Sequence, residues 1–258
     1  MHSIRAAAVQ HRINVCLGYA ERDGDSVYIA QCLIAAEDGE IKMSRRKIKP
    51  THMERTVFGE GSGRSLKNVV ETKGVGRIGA LACWVKFILE MRDEKVLTNG
   101  KEHTQPLLKY HTASQNEHIH IAAWPPLFDD EPQSQTLFSL SAPGAEILSR
   151  SYAIETQSFV LHSTGLMSQA GLDTMQLQGN PLFNQVGGGR AAVFGPDGRK
   201  LSEDLNPTVE GMVVVDLDLD LLGVCKSFVD VVGHYSRPDL LRLVVDSREK
   251  KPVHHDME

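Results

Sequence analysis

Arg77-Ile-Gly-Ala-Leu-Ala-Cys-Trp84 is a short and almost wholly apolar run. A strand covered on both faces has this look, whereas a half-exposed strand alternates. The run predicts a central strand with a packed layer on each side. It overlaps Gly74-Val-Gly-Arg-Ile-Gly79, which matches the spacing GxGxxG. That spacing cradles dinucleotide phosphates only where it opens a helix. Here it opens a strand, so it reads as a turn.

Further strands lie on both sides. Ile13–Ala20, Val27–Ala35 and Glu40–Arg46 are β-rich and separated by the turn clusters Glu21–Ser26 and Glu37–Gly39, so they read as a meander. His118–Trp124, Ser158–Ser163 and Arg190–Phe194 follow, and Gly195-Pro-Asp-Gly198 reads as a turn toward a last strand at Gly211–Asp218. Helical spacing covers Met1–Gln10, Gln105–Gln115, Leu137–Ala153 and Leu219–Val229. Strands and helices mixed in this order predict a layered α/β fold. No repeat or linker divides the chain, so one domain is expected over residues 1–246, followed by a polar tail over residues 247–258.

The 258 residues carry 28 Lys+Arg and 33 Asp+Glu, a formal net charge of −5, with 41% hydrophobic and 24% charged residues. This is an ordinary globular composition. A mildly acidic chain has no electrostatic pull toward nucleic acid or anionic lipid. No run approaches the roughly 20 apolar residues of a membrane span, and the first residues do not read as a signal peptide. Cys16, Cys32, Cys83 and Cys225 are scattered without CxxC spacing, which fits a reducing cytosol better than a disulfide scaffold or a zinc site.

Two segments carry candidate chemistry. Cys83 closes the buried strand, where a nucleophile can face a cleft on a rigid backbone; its bland alternative is a buried structural thiol. Ser44–Thr56 places Lys47 before a Pro-Thr turn and Glu54 after it. An ammonium and a carboxylate on one loop suit a thiol, the first stabilising developing negative charge and the second orienting it. Taken alone, Arg45–Lys49 reads as a solvated basic face or a nuclear-localisation-like patch. His118-x-His120 reads as a structural pair, lacking a third metal ligand nearby. Asp216-Leu-Asp-Leu-Asp220 reads as a strand with a wet face, closed by a helix cap at Asp220, and His254-His255 as part of the tail.

Taken together these segments resemble the nitrilase family. Arg45–Gly61 resembles its lysine motif, and Gly76–Trp84 its cysteine motif. Gln105–Tyr110, Gln115–Pro125, Ser151–Gln157, Phe194–Gly198 and Gly233–Asp239 also fit, so the likeness runs from Met1 to about Asp246. Its flavour is that of the fungal nitrilase and cyanide hydratase branch. The resemblance implies an α-β-β-α sandwich, incomplete at the N-terminus. It implies Cys83 as nucleophile, Lys47 as cationic stabiliser and Glu54 as positioning glutamate, with no cofactor and no metal. The implied reaction takes a small nitrile to a thioimidate, then a thioester, then acid and ammonia. A cyanide hydratase would instead release amide. The resemblance also implies a homo-oligomer, from dimer to spiral filament.

Three departures accompany it. The chain begins at the helix that follows the family's first two strands, so the Phe-Pro-Glu segment with the general-base glutamate is expected to be missing, along with a covered sheet edge. The family's Cys-Trp-Glu-His pattern is split between Cys83-Trp84 and Glu102-His103 by the 17 residues Val85–Lys101. A retained intron would account for this, since valine codons begin GT and lysine codons can end AG; a surface loop is the alternative. Ala82 stands where the family usually carries Asn or Ser. A catalytically silent subunit is the function these departures would imply.

Overall fold

A computed structural model describes residues 1–82, 102–129, 137–180 and 183–249. Helix α1 (His2–His11) precedes an antiparallel meander of β1 (Val15–Asp23), β2 (Ser26–Ile34) and β3 (Ile41–Arg46). A second sheet holds β4 (Val69–Thr72), β5 (Gly76–Ala82), β6 (Ile119–Trp124), β7 (Phe159–Thr164) and β8 (Ala192–Phe194), in that spatial order. The central strands β5, β6 and β7 run parallel and the two edges antiparallel. Helices α2 (Pro106–Ser114) and α3 (Ala142–Thr156) supply the crossovers; α4 (Gln169–Thr174) and α5 (Asp220–Phe228) follow.

Strand alternation sorts the core into three apolar layers. Cys32 and Ile34 of β2 meet Ala8 of α1. Leu33 and Met43 point the other way and meet Ile78, Ala80, Ile119 and Phe159 of the second sheet, with Leu222 of α5. Leu81, Ala122, Val160 and Phe194 cover that sheet's far face and pack on Tyr152 and Ala153 of α3. Helix, sheet, sheet, helix is the α-β-β-α order. The apolar run at residues 77–84 reads as it does because β5 is covered on both faces.

Gly74 (φ +78°) and Gly76 (φ +93°) turn the chain from β4 into β5, so the GxGxxG stretch is a turn. Strand β4 was not anticipated. The helix expected over residues 137–153 splits into a 3₁₀ turn, Phe138–Leu140, and α3, because Ser141 caps the latter. Its Oγ accepts the Gly144 N–H at 3.2 Å. The strand expected at Gly211–Asp218 is absent. The turn at residues 195–198 closes locally instead, through a bridge of Phe194 to Lys200. Residues 211–218 keep the alternating exposure of a strand but gain no ladder partner among the described residues. Asp220 does not cap this helix: the N-cap is Leu219, and Asp220 is the first helical residue, its N–H donating to Asp218 Oδ1 at 3.1 Å.

Candidate active site

Strand β3 builds one half of the site. Met43 and Arg45 point inward, and Lys47, one step beyond the strand, continues the alternation. Lys47 is held at its backbone, its N–H donating to Ile29 O at 2.7 Å and its carbonyl accepting from Gly61 N–H at 2.8 Å. Its ammonium, 1% exposed, donates to Glu54 Oε2 at 2.7 Å and to Thr51 Oγ1 at 3.2 Å. Glu54 is placed by the 3₁₀ turn His52–Thr56, where it forms a reciprocal capping box with Thr51. The same Oε2 accepts the Thr51 N–H, so cap and ion pair share one oxygen.

Glu102 joins this half to the end of β5. Its carboxylate accepts two hydrogen bonds from Arg45, at 2.9 and 2.6 Å, one from Ile48 N–H at 2.8 Å and one from Ala82 N–H at 2.7 Å. Burial opposes its ionisation. The Arg45 charge and the hydrogen bonds from Arg45, Ile48 and Ala82 outweigh that and hold the carboxyl below its ordinary range. Gln31 completes the layer, accepting from Arg45 Nη1 at 2.7 Å and donating to Leu81 O at 3.2 Å. One carboxylate thus gathers the amide after Lys47 and the amide before Cys83.

His103 stacks on Trp124 with ring centroids 5.0 Å apart and faces His120, Nε2 to Nε2, at 3.2 Å. Burial first, and then the neighbouring His120, His162, Arg45 and Lys109, push its pKa well down.

Of the residues singled out from the sequence, the structure brings Lys47 and Glu54 into direct contact. Cys83 and the stretch Val85–Lys101 lie outside the described residues, as does His254-His255. Arg45 and Lys47 are buried, which corrects the reading of Arg45–Lys49 as a solvated face. The signal was available: strand alternation from Met43 puts both on the inner side. His118 and His120 do not pair with each other. His118 Nδ1 accepts Arg77 N–H at 3.3 Å, while His120 belongs to the buried network of His103. No group among the described residues has the His, Cys, Asp and Glu clustering that holds a metal ion. None of their helices is long and apolar enough to cross a membrane. The sequence reading gave Glu102, Arg45 and His103 no role in the site. Glu102 and His103 complete the split Cys-Trp-Glu-His pattern, and that was the signal for them.

Comparison with known proteins agrees with this geometry. The family model described as carbon-nitrogen hydrolase matches residues 1–92 and 98–227. An arylacetonitrilase of Aspergillus kawachii is 49% identical over 253 residues, covering 98% of this chain and 71% of its own. One from Aspergillus oryzae is 47% identical over 259 residues, covering 100% and 72%. Among solved structures, Nit3 of Saccharomyces cerevisiae, a member of the nitrilase superfamily, superposes with a TM-score of 0.62 at 16% identity, over 91% of this chain and 70% of that one. A fold laid out as helix, sheet, sheet and helix, a lysine and a glutamate paired at the sheet edge, and a family match across most of the sequence lead to one assignment: the chain belongs to the carbon-nitrogen hydrolase family, on its nitrilase side.

Proposed function

We propose that this nitrilase hydrolyses arylacetonitriles to the carboxylic acid and ammonia, with Cys83 as nucleophile, Lys47 as the cation and Glu54 as its positioning partner. The observation that carries the assignment is the buried Lys47–Glu54 ion pair, tied through Ile48 and Glu102 to the residue before Cys83. The substrate class follows from the relatives' activity.

In this reading the Cys83 thiolate adds to the nitrile carbon, forming a C–S bond while the nitrogen takes a proton, which gives a thioimidate. Water adds to the same carbon. The C–N bond then breaks, ammonia leaves, and a thioester remains. A second water cleaves the C–S bond and releases the acid. Splitting one hard addition into easier steps is the gain of covalent catalysis. Lys47 supplies a fixed positive charge in a dry site, where it acts most strongly on developing negative charge.

The same reading takes residues 1–246 as one catalytic domain, places the protein in the cytosol and makes it a homo-oligomer. Free Cys16, Cys32 and Cys225 support the compartment. The exposed apolar side chains Met212, Val214, Phe228, Leu241 and Val244 support self-association. Sedimentation velocity tests this last point, a monomer at micromolar concentration contradicting it.

The deciding assay offers phenylacetonitrile and measures ammonia, acid and amide together. Ammonia and acid in equal amounts support the proposal. Amide without ammonia marks a hydratase. No turnover, with Cys83 still open to alkylation, marks a silent subunit.

A further inference from the structure

Behind the site lies a line of buried polar groups that the reaction above does not use. Tyr152 O–H donates to Glu117 Oε1. Glu117 Oε2 meets His120 Nδ1 at 2.9 Å, and His120 Nε2 meets His103 Nε2 at 3.2 Å. Every member is at most 1% exposed. The line ends at His103 Nδ1, which is buried and has no hydrogen-bond partner among the described residues.

The place is built for it. Gly79 pairs with His120 across β5 and β6, and a Cβ at position 79 would fall inside contact distance of Glu117 Oε2. Tyr152 stacks on His120 with centroids 3.9 Å apart. Trp124 lies between His103 and His162, stacked on both. The Trp124 indole N–H donates to Ser149 Oγ at 3.1 Å, and Ser149 Oγ is 2.8 Å from His162 Nδ1. The ring of His103 therefore has a fixed orientation.

Proton counting gives the line a direction. The Glu117 carboxylate accepts from Tyr152 O–H on one oxygen and from His120 Nδ1–H on the other. Two ring nitrogens 3.2 Å apart share one proton. Placing it on His103 leaves the buried His103 Nδ1 as a bare acceptor; placing it on His120 moves the His103 proton to Nδ1, a buried donor with no acceptor among the described residues. His103 then carries its proton on Nε2 and a lone pair on Nδ1.

We propose that Tyr152, Glu117 and His120 form a one-way hydrogen-bond relay that locks His103 in the Nε2–H tautomer, and that His103 is a positioning residue for the reaction. It acts through its neighbour Glu102, which holds the Ile48 and Ala82 amides beside Lys47 and Cys83. The kinetic part rests on the nitrilase reading; the tautomer does not.

The test is a long-range ¹H–¹⁵N correlation spectrum of the whole protein, the His103 signals being assigned by their loss in His103→Gln. Wild type is expected to show a protonated Nε2 and an unprotonated Nδ1. Glu117→Gln is nearly isosteric, but its amide can donate to His120 Nδ1 and so reverse the line. Its His103 is expected to carry the proton on Nδ1. Its kcat is expected to fall about 10- to 100-fold with KM within about twofold, the pattern of lost alignment. Tyr152→Phe keeps the direction and is expected to keep the tautomer and lose only about threefold in kcat. A wild-type His103 protonated on Nδ1 overturns the relay. So does Glu117→Gln if its tautomer stays unreversed, or if it reverses with kcat unchanged. Should wild type turn over no nitrile, the functional reading fails, and the spectrum alone decides the relay.

Discussion

Arg45 and Glu102 lie 57 positions apart and meet in a two-pronged ion pair, their side chains 1% and 2% exposed. The guanidinium fork matches the carboxylate geometry, and two backbone amides take the remaining acceptor sites. A buried pair gains little net stability over an apolar replacement, because desolvation offsets attraction. Its value here is geometric: it fixes where the lysine segment and the cysteine segment leave their strands.

Breaking the pair from one side leaves an uncompensated charge in the core. Arg45→Met and Glu102→Leu are each expected to cost about 3–5 kcal/mol. The double variant should cost clearly less than their sum, because no lone charge remains. Urea unfolding of wild type, both singles and the double measures this. Additive losses would show that the pair carries no coupling. Activity should not return in the double variant, since the Ile48 and Ala82 amides have lost their acceptor.

Ala82 N–H and the Glu102 carboxylate are 2.7 Å apart, so the two described residues that flank positions 83–101 lie side by side. Joining Trp84 directly to Glu102 leaves three Cα–Cα steps between Ala82 and Glu102, a reach of roughly 10 Å. The variant lacking Val85–Lys101 is therefore expected to fold, with a Tm within about 5 °C of the full chain. Its kcat should be at least as high, because the cysteine segment is tethered more closely. A deletion that prevents folding would show that residues 85–101 are integral to the structure.

Which features were legible follows from the range of the interactions that make them. The layers were readable because burial on two faces leaves a continuous apolar run, as in β5. The inward side of β3 is written in the alternation of Met43, Arg45 and Lys47, but two of the three are charged, so the stretch reads as a solvated face. The start of α3 is written locally in Ser141-Ala-Pro143, a cap followed by a proline at the first turn, although the apolar spacing alone extends the helix back to Leu137. The strand expected at Gly211–Asp218 failed for a non-local reason: its alternation is real, but a ladder needs a partner that no local pattern specifies. The site divides in the same way. Lys47 and Glu54 sit on one loop and could be paired on paper. Arg45 with Glu102, and Glu117 with Tyr152, are joined only by the folded chain.

The proposed reaction assigns unequal roles to Cys83, Lys47 and Glu54. Cys83→Ala is expected to remove all ammonia release, since no bond to carbon can form. Lys47→Ala should lower kcat by roughly 10²–10³-fold, the usual effect of removing one charge-stabilising donor from a dry site. Glu54→Gln keeps an acceptor for Thr51 N–H but loses the charge opposite Lys47, so it should fold and still lose most of kcat. Residual turnover in Cys83→Ala would sink the nucleophile assignment. Wild-type rates in Lys47→Ala would reject the cation's role.

Stability should fall as the solution is made acidic, beginning near pH 6.5. Burial, with a smaller contribution from Lys200, pushes His162 down to about 3, and burial with its neighbours pushes His103 well down. In the unfolded chain both titrate near 6.5. Between the unfolded and folded values the unfolded state therefore holds more protons, and stability rises with pH. The stabilisation from these neutral imidazoles is fully present above about pH 6.5. It declines toward pH 3, by about 1.4 kcal/mol per pH unit for each histidine. Glu102 adds a loss of the same sign at lower pH, because its folded carboxyl is held below the ordinary range and must take up a proton on unfolding. Urea midpoints at pH 7.5, 6.0 and 5.0 are expected to fall in that order, and His162→Asn should flatten the slope by about one proton. Equal midpoints from pH 7.5 to 5.0 would mean that both imidazoles take up their protons inside the folded protein as readily as in the unfolded chain, and would overturn this reading of the enclosed stack of His103, Trp124 and His162.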